Sequence, residues 1–532
     1  MRSTEVDAYI VEIKATPELH PLFHRFGIAY RWYAMLAVVS ANIAAVLAST
    51  IINVAVPDIM GAFGIGQDDA QWLATANLAA ATISMLCSAW MVSRIGLRGT
   101  VLLGMSIFLL GSLMGGLATN LETMVVSRIL QGIPAGLLTP LSMTVIFQVF
   151  PLGKRGLAMG ISAIGIILAP AIGPAAGGLA VDALSWRYVF YLGAPFSVMS
   201  LILGSIFLPG RGESKPAPFD WFGLILLTIA LISLLIALSN GEQDGWNSNR
   251  ILGHFFIAVL FGTLFVSWER RQSHPLLALE LFAQRNFAII STVGFVFGAG
   301  LYASTYLVPL FLQLVQHLTA TASGFLLMPA GFIMVLIFPL SGRLADRYDQ
   351  RMLITVGSAF FALAFWLLAS ADASTSFWTL AFWVVLSRIG VGLVMPALQM
   401  GALAGIAQAN LNAASGSFSF MRQLGGAFGV NLSSVLLEQR TQMHRASFID
   451  SQTYANSDVL EVMQSLGHYA AQLGFSGTET WNAARFMLLQ MIHSQALIAG
   501  FKDNFLILSL VFLAALVPTW MLRRSVSPTR AG

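Results

Sequence analysis

The sequence predicts an all-α membrane protein with about fourteen transmembrane helices, arranged as two six-helix bundles plus two extra central helices. The first observation is composition, because 57% of the 532 residues are hydrophobic and only 10% are charged. A soluble protein of this length needs far more charge on its surface. The second observation is a recurrence of long apolar runs, and the third is the placement of basic residues in the short loops between them.

Each apolar run approaches or exceeds the roughly 20 helical residues that cross a bilayer. The predicted spans cover residues 32–56, 70–92, 100–118, 123–147, 157–181, 188–208, 221–238, 251–266, 287–315, 322–340, 352–370, 377–406, 413–437 and 505–522. They divide the chain into a cytoplasmic tail (1–31), a first bundle (32–208), two inserted central helices (219–268), a second bundle (285–522) and a second cytoplasmic tail (523–532).

Loop charges predict the orientation of these spans. If the N-terminus is cytoplasmic, the inner loops and the C-terminal tail hold Arg94, Arg98, Lys154, Arg155, Arg211, Lys215, Arg270, Arg271, Arg285, Arg343, Arg347, Arg351, Arg523, Arg524 and Arg530. The outer short loops hold Asp58, Asp68, Asp69, Glu242, Asp244 and Asp372, with only Arg187 and Arg250 as bases. This asymmetry follows the positive-inside rule and predicts that both termini are cytoplasmic. It also accounts for the net charge of +4, so no nucleic-acid partner is expected.

One long stretch, residues 438–500, is too polar to span lipid and is predicted to lie outside the membrane. Asp458 is a candidate N-cap for one helix, and Thr478–Ala499 is a second helix candidate. Two interpretations remain open for this outer segment, a structural cap over the exit side and a docking surface for a partner protein.

The fifth predicted span has an unusual distribution of small residues. Gly165, Ala169, Gly173 and Gly177 recur every fourth residue, and they would form one smooth stripe on a helix. Prolines in the same span bend a helix by removing backbone hydrogen bonds. The residues singled out in this span are Gly165, Pro170, Gly173, Pro174, Gly177 and Gly178.

Charged residues inside a membrane are costly and usually functional. Arg128, Arg388 and Arg422 fall within predicted spans, whereas no Asp or Glu lies at comparable depth. The candidate proton and substrate cavity therefore consists of Asn53, Arg128, Gln131, Arg388 and Arg422. A structural alternative remains open for the arginines, which could bond backbone carbonyls or, for Arg388, extend to an interface. Asn53 could likewise serve as a hydrogen bond between helices.

Five segments together resemble a known family. They are Thr50–Pro57, Arg128–Gly132, Gly165–Gly178, Gly342–Arg351 and Gln495–Phe505. Taken together they resemble motifs of the fourteen-spanning drug:proton antiporters of the major facilitator superfamily, of the EmrB/QacA type. The likeness covers nearly the whole chain after residue 30.

This resemblance implies a major facilitator fold and proton-coupled export of small amphipathic drugs or toxic compounds across the cytoplasmic (inner) membrane. It implies that Gly342, Arg343, Asp346 and Arg347 gate the inner side. It also brings in a periplasmic adaptor protein and an outer-membrane channel as partners. From the residues themselves, no phosphate-binding Walker loop, no metal-ligand spacing and no nucleophile–base pair is present, so neither an enzyme nor a cofactor is expected.

Two departures from the family pattern affect these assignments. Ala48 stands where the family commonly has an Asp before its first-helix motif, and Ser93 replaces an Asp of the first inner-loop motif. The arginine excess and the missing acid predict a preference for neutral or anionic compounds. Two other functions stay open, a dedicated metabolite or siderophore exporter and a membrane sensor that keeps the fold without transporting.

Overall fold

The structure is a computed structural model, and it describes residues 2–13, 17–151, 158, 162, 169, 172–211, 218–272, 275–277, 279–403, 406, 411–451, 457–476 and 478–522. All regular secondary structure in these ranges is helical, which confirms the all-α prediction. Eleven helical segments in these ranges have the length and hydropathy to cross a membrane. The predicted C-terminal tail, 523–532, lies outside the described residues.

The first part of the chain contains α1 (Arg2–Ile13), α2 (His20–Phe26), α3 (Tyr30–Phe63), α4 (Gln67–Ala70), α5 (Trp72–Met85), α6 (Ser88–Gly116), α7 (Leu121–Val149), α8 (172–183) and α9 (Ala194–Phe207), with 3-10 turns at Pro17–Leu19 and Trp186–Tyr191. The inserted pair is α10 (Trp221–Asp244) and α11 (Asn249–Glu269). The second part contains α12 (Leu279–Phe282), α13 (Arg285–Leu314), α14 (Ala320–Arg347), α15 (Gln350–Leu368), α16 (Phe377–Leu403), α17 (Leu411–Ser451), α18 (Ser457–Gln472), α19 (Thr478–Ala514) and α20 (Leu516–Trp520).

The predicted tail at the N-terminus is folded against the first bundle. The Tyr9 hydroxyl donates a hydrogen bond to the Val149 carbonyl oxygen at 3.0 Å, and Phe23 is fully buried. The ring of Phe23 packs edge-on against Tyr30, with centroids 4.7 Å apart. Sequence reasoning missed this docking because charges and prolines dominate the segment.

The boundary between the second and third spans lies at Gly96. This glycine has a φ of 77°, and it breaks the helix between the two spans. A Cβ at this position would lie 2.6 Å from the Arg211 backbone nitrogen, so the loop before α10 approaches it directly. The Arg98 guanidinium holds the same loop, because its Nε donates to the Leu208 carbonyl oxygen at 2.8 Å.

Two helices of the second bundle are much longer than a membrane is thick. The 41 residues of α17 and the 37 residues of α19 extend about 60 Å and 55 Å at 1.5 Å per residue. The hydrocarbon core is only about 30 Å thick. The ends predicted at Leu437 and Phe505 are therefore not helix ends, because both helices continue through the polar segment.

The two ends of the molecule carry different features. The continued parts of α17 and α19, together with α18, form a helical hairpin (residues 438–451, 457–472 and 478–500), and the end that carries it is termed the hairpin face. The opposite end carries Arg94 and Arg98 on either side of the break at Gly96, and Arg343 and Arg351 near helix ends, and it is termed the basic face.

Glycines let helix backbones touch within each bundle. In the second bundle, α13 and α17 cross so closely that a Cβ at Gly298 would lie 2.0 Å from the Arg422 carbonyl oxygen. In the first bundle, α5 and α7 do the same, with a Cβ at Gly136 placed 2.0 Å from the Ala81 carbonyl oxygen. In lipid, where helices gain little from hydrophobic burial, such close packing supplies much of the attraction.

The inserted pair packs beside the junction of the two bundles. Its residues Leu227 and Phe265 form one apolar cluster with Ile83 of α5 and Phe420 of α17. Asp220 caps α10 by accepting a bond from the Gly223 backbone nitrogen at 2.9 Å, and it also accepts from the Trp268 indole nitrogen of α11 at 2.9 Å. Asp220 thus links α10 to α11 at the basic face.

We expect Gly298→Ala to destabilise the second bundle, because the new Cβ would meet a backbone oxygen that cannot move without shifting α17. Overpacking of this kind costs about 1–3 kcal/mol, which exceeds the gain in helix propensity. Thermal unfolding of the purified protein in detergent measures the effect. Gly253→Ala in α11 is the matched control, since nothing lies within 4 Å of its Cβ position. Equal melting temperatures for the two variants would contradict the close crossing.

Candidate functional site

The candidate site is the seam where the two bundles face one another. Within the described residues, the hydrogen bonds that join the bundles include four that lie toward the hairpin face. They run from Gln67 Nε2 to the Tyr306 hydroxyl (3.0 Å), from Ser434 Oγ to the Gln67 carbonyl (3.1 Å), from Gln313 Nε2 to the Val54 carbonyl (2.9 Å) and from the Thr321 backbone nitrogen to Asp182 Oδ2 (2.8 Å). The seam is therefore closed toward the hairpin face.

The helix with the small-residue stripe lies directly in this seam. One side of α8 contacts α14 of the other bundle, where a Cβ at Gly178 would lie 2.2 Å from the Ala320 carbonyl oxygen. The contact is reciprocal, because a Cβ at Gly324 of α14 would lie 2.2 Å from the Pro174 carbonyl oxygen. Two backbones thus meet across the junction of the bundles without intervening side chains.

The other side of α8 packs on α3 within the first bundle. Cβ atoms at Gly173 and Gly177 would lie 3.1 Å and 2.6 Å from side-chain carbons of Ile51. Gly165 and Pro170 of the same predicted motif lie outside the described residues. The described half of the motif therefore forms a wedge between α3 and α14.

Asp182 fixes the end of this wedge. Its carboxylate accepts a bond from the first turn of α14, where the helix dipole presents positive charge and favours an anion by about 0.3–1 kcal/mol. Burial by itself would raise the pKa of Asp182, but hydrogen bonds from Thr321, Thr319 and Ala320 outweigh it and hold the pKa below its usual range. The carboxylate therefore stays ionised at neutral pH and holds the two bundles together.

Arg128 and Gln131 form a polar network inside the first bundle. Arg128 is 1% exposed, its Nε donates to the Leu73 carbonyl oxygen at 2.7 Å, and its Nη1 donates to Gln131 Oε1 at 2.5 Å. Gln131 Nε2 in turn donates to Ser112 Oγ at 3.0 Å. Arg128 Nη2 is buried without a hydrogen-bond partner among the described residues, which leaves one donor of the cation available.

The two arginines of the second bundle both lie along α13. Arg388 Nη1 donates weakly to Ser304 Oγ at 3.4 Å, and the Arg422 stem packs against Gly298. Ser304 and Gly298 are six residues apart, or about 9 Å along a helix. Arg422 Nε is buried and has no hydrogen-bond partner among the described residues. The structure thus brings Arg388 and Arg422 to one helix, while Arg128 lies in the other bundle.

The remaining predicted site residues lie in different parts of the structure. Asn53 is buried in α3, and its Oδ1 has no hydrogen-bond partner in the described part of the chain. Gly342 and Arg343 lie near the end of α14 at the basic face, where nothing lies within 4 Å of a Cβ at Gly342 and Arg343 is exposed. The side chains of Asp346 and Arg347 lie outside the described residues, although α14 runs through both positions.

Sequence reasoning missed the residues that close the seam, namely Gln67, Tyr306, Gln313 and Ser434. Gln313 carried a usable signal, because it is an amide inside an otherwise apolar run. The other three gave none, since a Gln near a span end or a single hydroxyl inside a span is common in membrane helices.

Known proteins share both this fold and this sequence pattern. The family model described as "Major Facilitator Superfamily" matches residues 38–430. The chain is 31% identical over 492 residues to the Multidrug export protein EmrB of Haemophilus influenzae, covering 91% of this chain and 94% of that protein. It is 29% identical over 500 residues to the Fatty acid resistance protein FarB of Neisseria gonorrhoeae, covering 93% and 96%.

A solved structure shares the fold at low sequence identity. It is a bacterial homolog to the human lysosomal transporter Spinster in an inward-facing and occupied conformation. The TM-score is 0.61 at 15% identity, and the match covers 93% of this chain and 97% of that one. At this identity the likeness concerns the fold alone.

We expect Asp182→Asn to loosen the seam at the hairpin face, because a neutral amide loses the attraction to the α14 dipole. The population with separated bundles should rise about two- to fivefold, the equivalent of about 0.3–1 kcal/mol. The measurement is the distance distribution between spin labels at Leu117→Cys and Ala373→Cys in a Cys87→Ser background.

Asp244→Asn is the control for this measurement, since Asp244 pairs with the exposed Arg250 of α11 at 3.0 Å and, among the described residues, with neither bundle. The contribution of Asp182 is present above the ordinary Asp pKa of about 3.9 and is lost as the pH falls through the lowered pKa. The difference between Asp182→Asn and the unaltered protein should therefore stay constant from about pH 5.5 to pH 8. An unchanged distance distribution in Asp182→Asn would refute this role.

Proposed function

The chain belongs to the major facilitator superfamily, and from this membership we propose that it is a proton-coupled exporter of small amphipathic compounds across the cytoplasmic membrane. The observation that carries the proposal is the seam, which is closed toward one face by hydrogen bonds and by a glycine-lined helix wedged between the bundles. Its relatives include proteins named for multidrug export and for fatty acid resistance. A transport role involves no chemical conversion of the substrate.

The seam has the properties that alternating access needs. Its closing contacts are a few hydrogen bonds of about 1 kcal/mol each, so a ligand with modest differential affinity can open them. The contact between α8 and α14 is backbone against backbone, with no interlocking side chains at Gly178 and Gly324. Two rigid bundles can rock about such a contact while a midplane site faces each side in turn. The closed hairpin face corresponds to the state in which the substrate cavity opens toward the basic face.

The orientation in the membrane follows from charge. We place the basic face in the cytoplasm, because the positive-inside rule puts short loops rich in Arg and Lys on that side. The hairpin face then lies outside the cytoplasmic membrane, and in a cell with two membranes it would face the periplasm. A periplasmic adaptor and an outer-membrane channel would meet the transporter there.

The cavity charges favour neutral or anionic substrates. Arg388 and Arg422 both contact α13 in the second bundle, and Arg422 has a buried donor free among its described contacts. The spans hold no acid at comparable depth in the sequence. An anionic headgroup gains a charge-assisted hydrogen bond in such a cavity, whereas an organic cation gains none.

Proton coupling needs a titrating group, and Ala48 removes the one that the family motif commonly supplies. The network of Arg128, Gln131 and Ser112 is our candidate for the relay, because the buried cation keeps one unused donor. The same Ala48 keeps a non-transporting sensor as the second candidate function. Binding of a compound without its accumulation would identify a sensor.

The transport assay uses the purified full chain in proteoliposomes with an acidic lumen. We expect accumulation of acidic and neutral amphipathic drugs that depends on the proton gradient and collapses on addition of a protonophore, because the gradient supplies the driving force. Protein-free liposomes under the same gradient are the control. If no compound of a broad panel accumulates, the exporter proposal is wrong and the sensor remains.

Substrate preference is tested with Arg422→Ala. We expect the half-saturating concentration of an acidic drug to rise about tenfold, the loss of one hydrogen bond to a charged group, while that of ethidium stays the same. Arg250→Ala, which removes an exposed arginine from the first turn of α11, is the control. The preference would be disproved if the unaltered protein exported ethidium and the acidic drug equally well and if Arg422→Ala changed the export of neither compound.

A further inference from the structure

A cavity of about 540 Å³ lies at the hairpin face, directly beside the closed end of the seam. The first bundle contributes Met60 and Gln67 to its wall, and the second contributes Leu314 together with parts of α17 and α19. Its volume is within the range of roughly 300–1,000 Å³ that holds drug-sized ligands. Because both bundles line it, the shape of this cavity must change when they move.

The long extension of α17 provides most of the lining. The contributing residues are Leu437, Glu438, Thr441, Gln442, Arg445, Ala446 and Ile449, which follow one another at the spacing of a single helix face. Opposite them, α19 contributes His493 and Leu497. This face therefore exists only because α17 continues as a helix beyond the membrane.

The wall is mainly apolar, and its ionisable side chains are Arg445, His493 and one acid. Met60, Leu314, Ile449 and Leu497 offer a surface for a hydrocarbon chain or ring. The one acid, Glu438, already accepts a hydrogen bond from Gln442 Nε2 at 2.8 Å. Arg445 and His493 have no ion pair within the described residues, so two donors remain for an anionic group.

Gln67 connects this cavity to the closed seam. Its side chain donates to the Tyr306 hydroxyl of the other bundle, and its carbonyl oxygen accepts from Ser434. The same residue lines the cavity, so an occupant touches one of the contacts that hold the bundles together. A molecule that leaves along the seam meets this cavity as soon as those contacts open.

We propose that this cavity is an exit-side binding site for amphipathic carboxylates, in which Arg445 bonds the carboxylate and the apolar wall holds the hydrocarbon part. The site rests on the proposed export function for its place in a transport cycle, but its ligand chemistry follows from the lining residues alone. It lies at the hairpin face beside Leu314, the last residue of α13, whereas Arg388 and Arg422 contact α13 earlier, at Ser304 and Gly298.

Binding is tested with the purified full chain in nanodiscs, using a dansyl-labelled undecanoate as the probe and its uncharged amide as the neutral counterpart. We expect Arg445→Gln to weaken binding of the carboxylate about tenfold, the loss of one charge-assisted hydrogen bond, and to leave the amide unaffected. Arg445→Lys should keep most of the affinity, because it keeps the charge. Ile449→Trp should abolish binding of both probes by filling the cavity.

Arg485→Gln is the matched control, since Arg485 is an exposed arginine of α19 that does not line the cavity. Equal carboxylate affinities for Arg445→Gln and Arg485→Gln, or full binding by Ile449→Trp, would overturn the proposal. The assay contains no proton gradient, so it is independent of transport. If the protein transports under a gradient but does not bind the probe, the binding-site proposal is wrong and the exporter proposal stands. If it binds the probe but transports nothing, the exporter proposal is wrong and the binding site stands.

Discussion

The close approach of helix backbones at glycines is the constraint on which the rest of this structure depends. Helices in lipid gain little from burying apolar surface against one another, so they associate where small residues allow van der Waals contact along the backbone. Inside each bundle such contacts are extensive, as at Gly136 and Gly298, and they make the bundle a rigid unit. Between the bundles the same chemistry is confined to Gly178 and Gly324, where it permits relative motion. Backbone contact at glycines thus holds each bundle rigid, while its small extent between the bundles lets them move relative to one another.

The arginines of the interior differ in how completely they are hydrogen-bonded. Arg128 is surrounded by acceptors from its own bundle, and burial in a region without a described counterion makes those hydrogen bonds essential to it. Arg388 and Arg422 are less completely bonded and lie along α13. Arg128 Nη2 and Arg422 Nε are both buried without a hydrogen-bond partner among the described residues, so each bundle holds a cation with unused donors. In the function that we propose, the second bundle contacts the substrate and the first contains the proton relay.

The hairpin adds a feature that a minimal two-bundle transporter does not need. By continuing from the predicted membrane boundary at Leu437 to Ser451, α17 carries a helical face over the closed end of the seam. That face includes Arg445 and lies next to Gln67, which takes part in closing the seam. A residue that closes the seam and a residue that we propose to bind the ligand thus lie in one small region at the hairpin face.

The sequence by itself determined the membrane class, the positions of most helices, and the arginine-rich, acid-poor interior. These are local properties, because apolar length and loop charge report directly on the lipid environment. Only the tertiary structure decided which residues close the seam, since Gln67 and Tyr306 are 239 positions apart and neither has a periodic pattern. It also decided that Asp182 holds α14, that the N-terminal segment docks through Tyr9, and that residues 438–500 continue two membrane helices. The sequence predicted two separate helices in this polar segment, but the continuity of α17 and α19 with membrane helices depends on their packing against each other, which composition does not report.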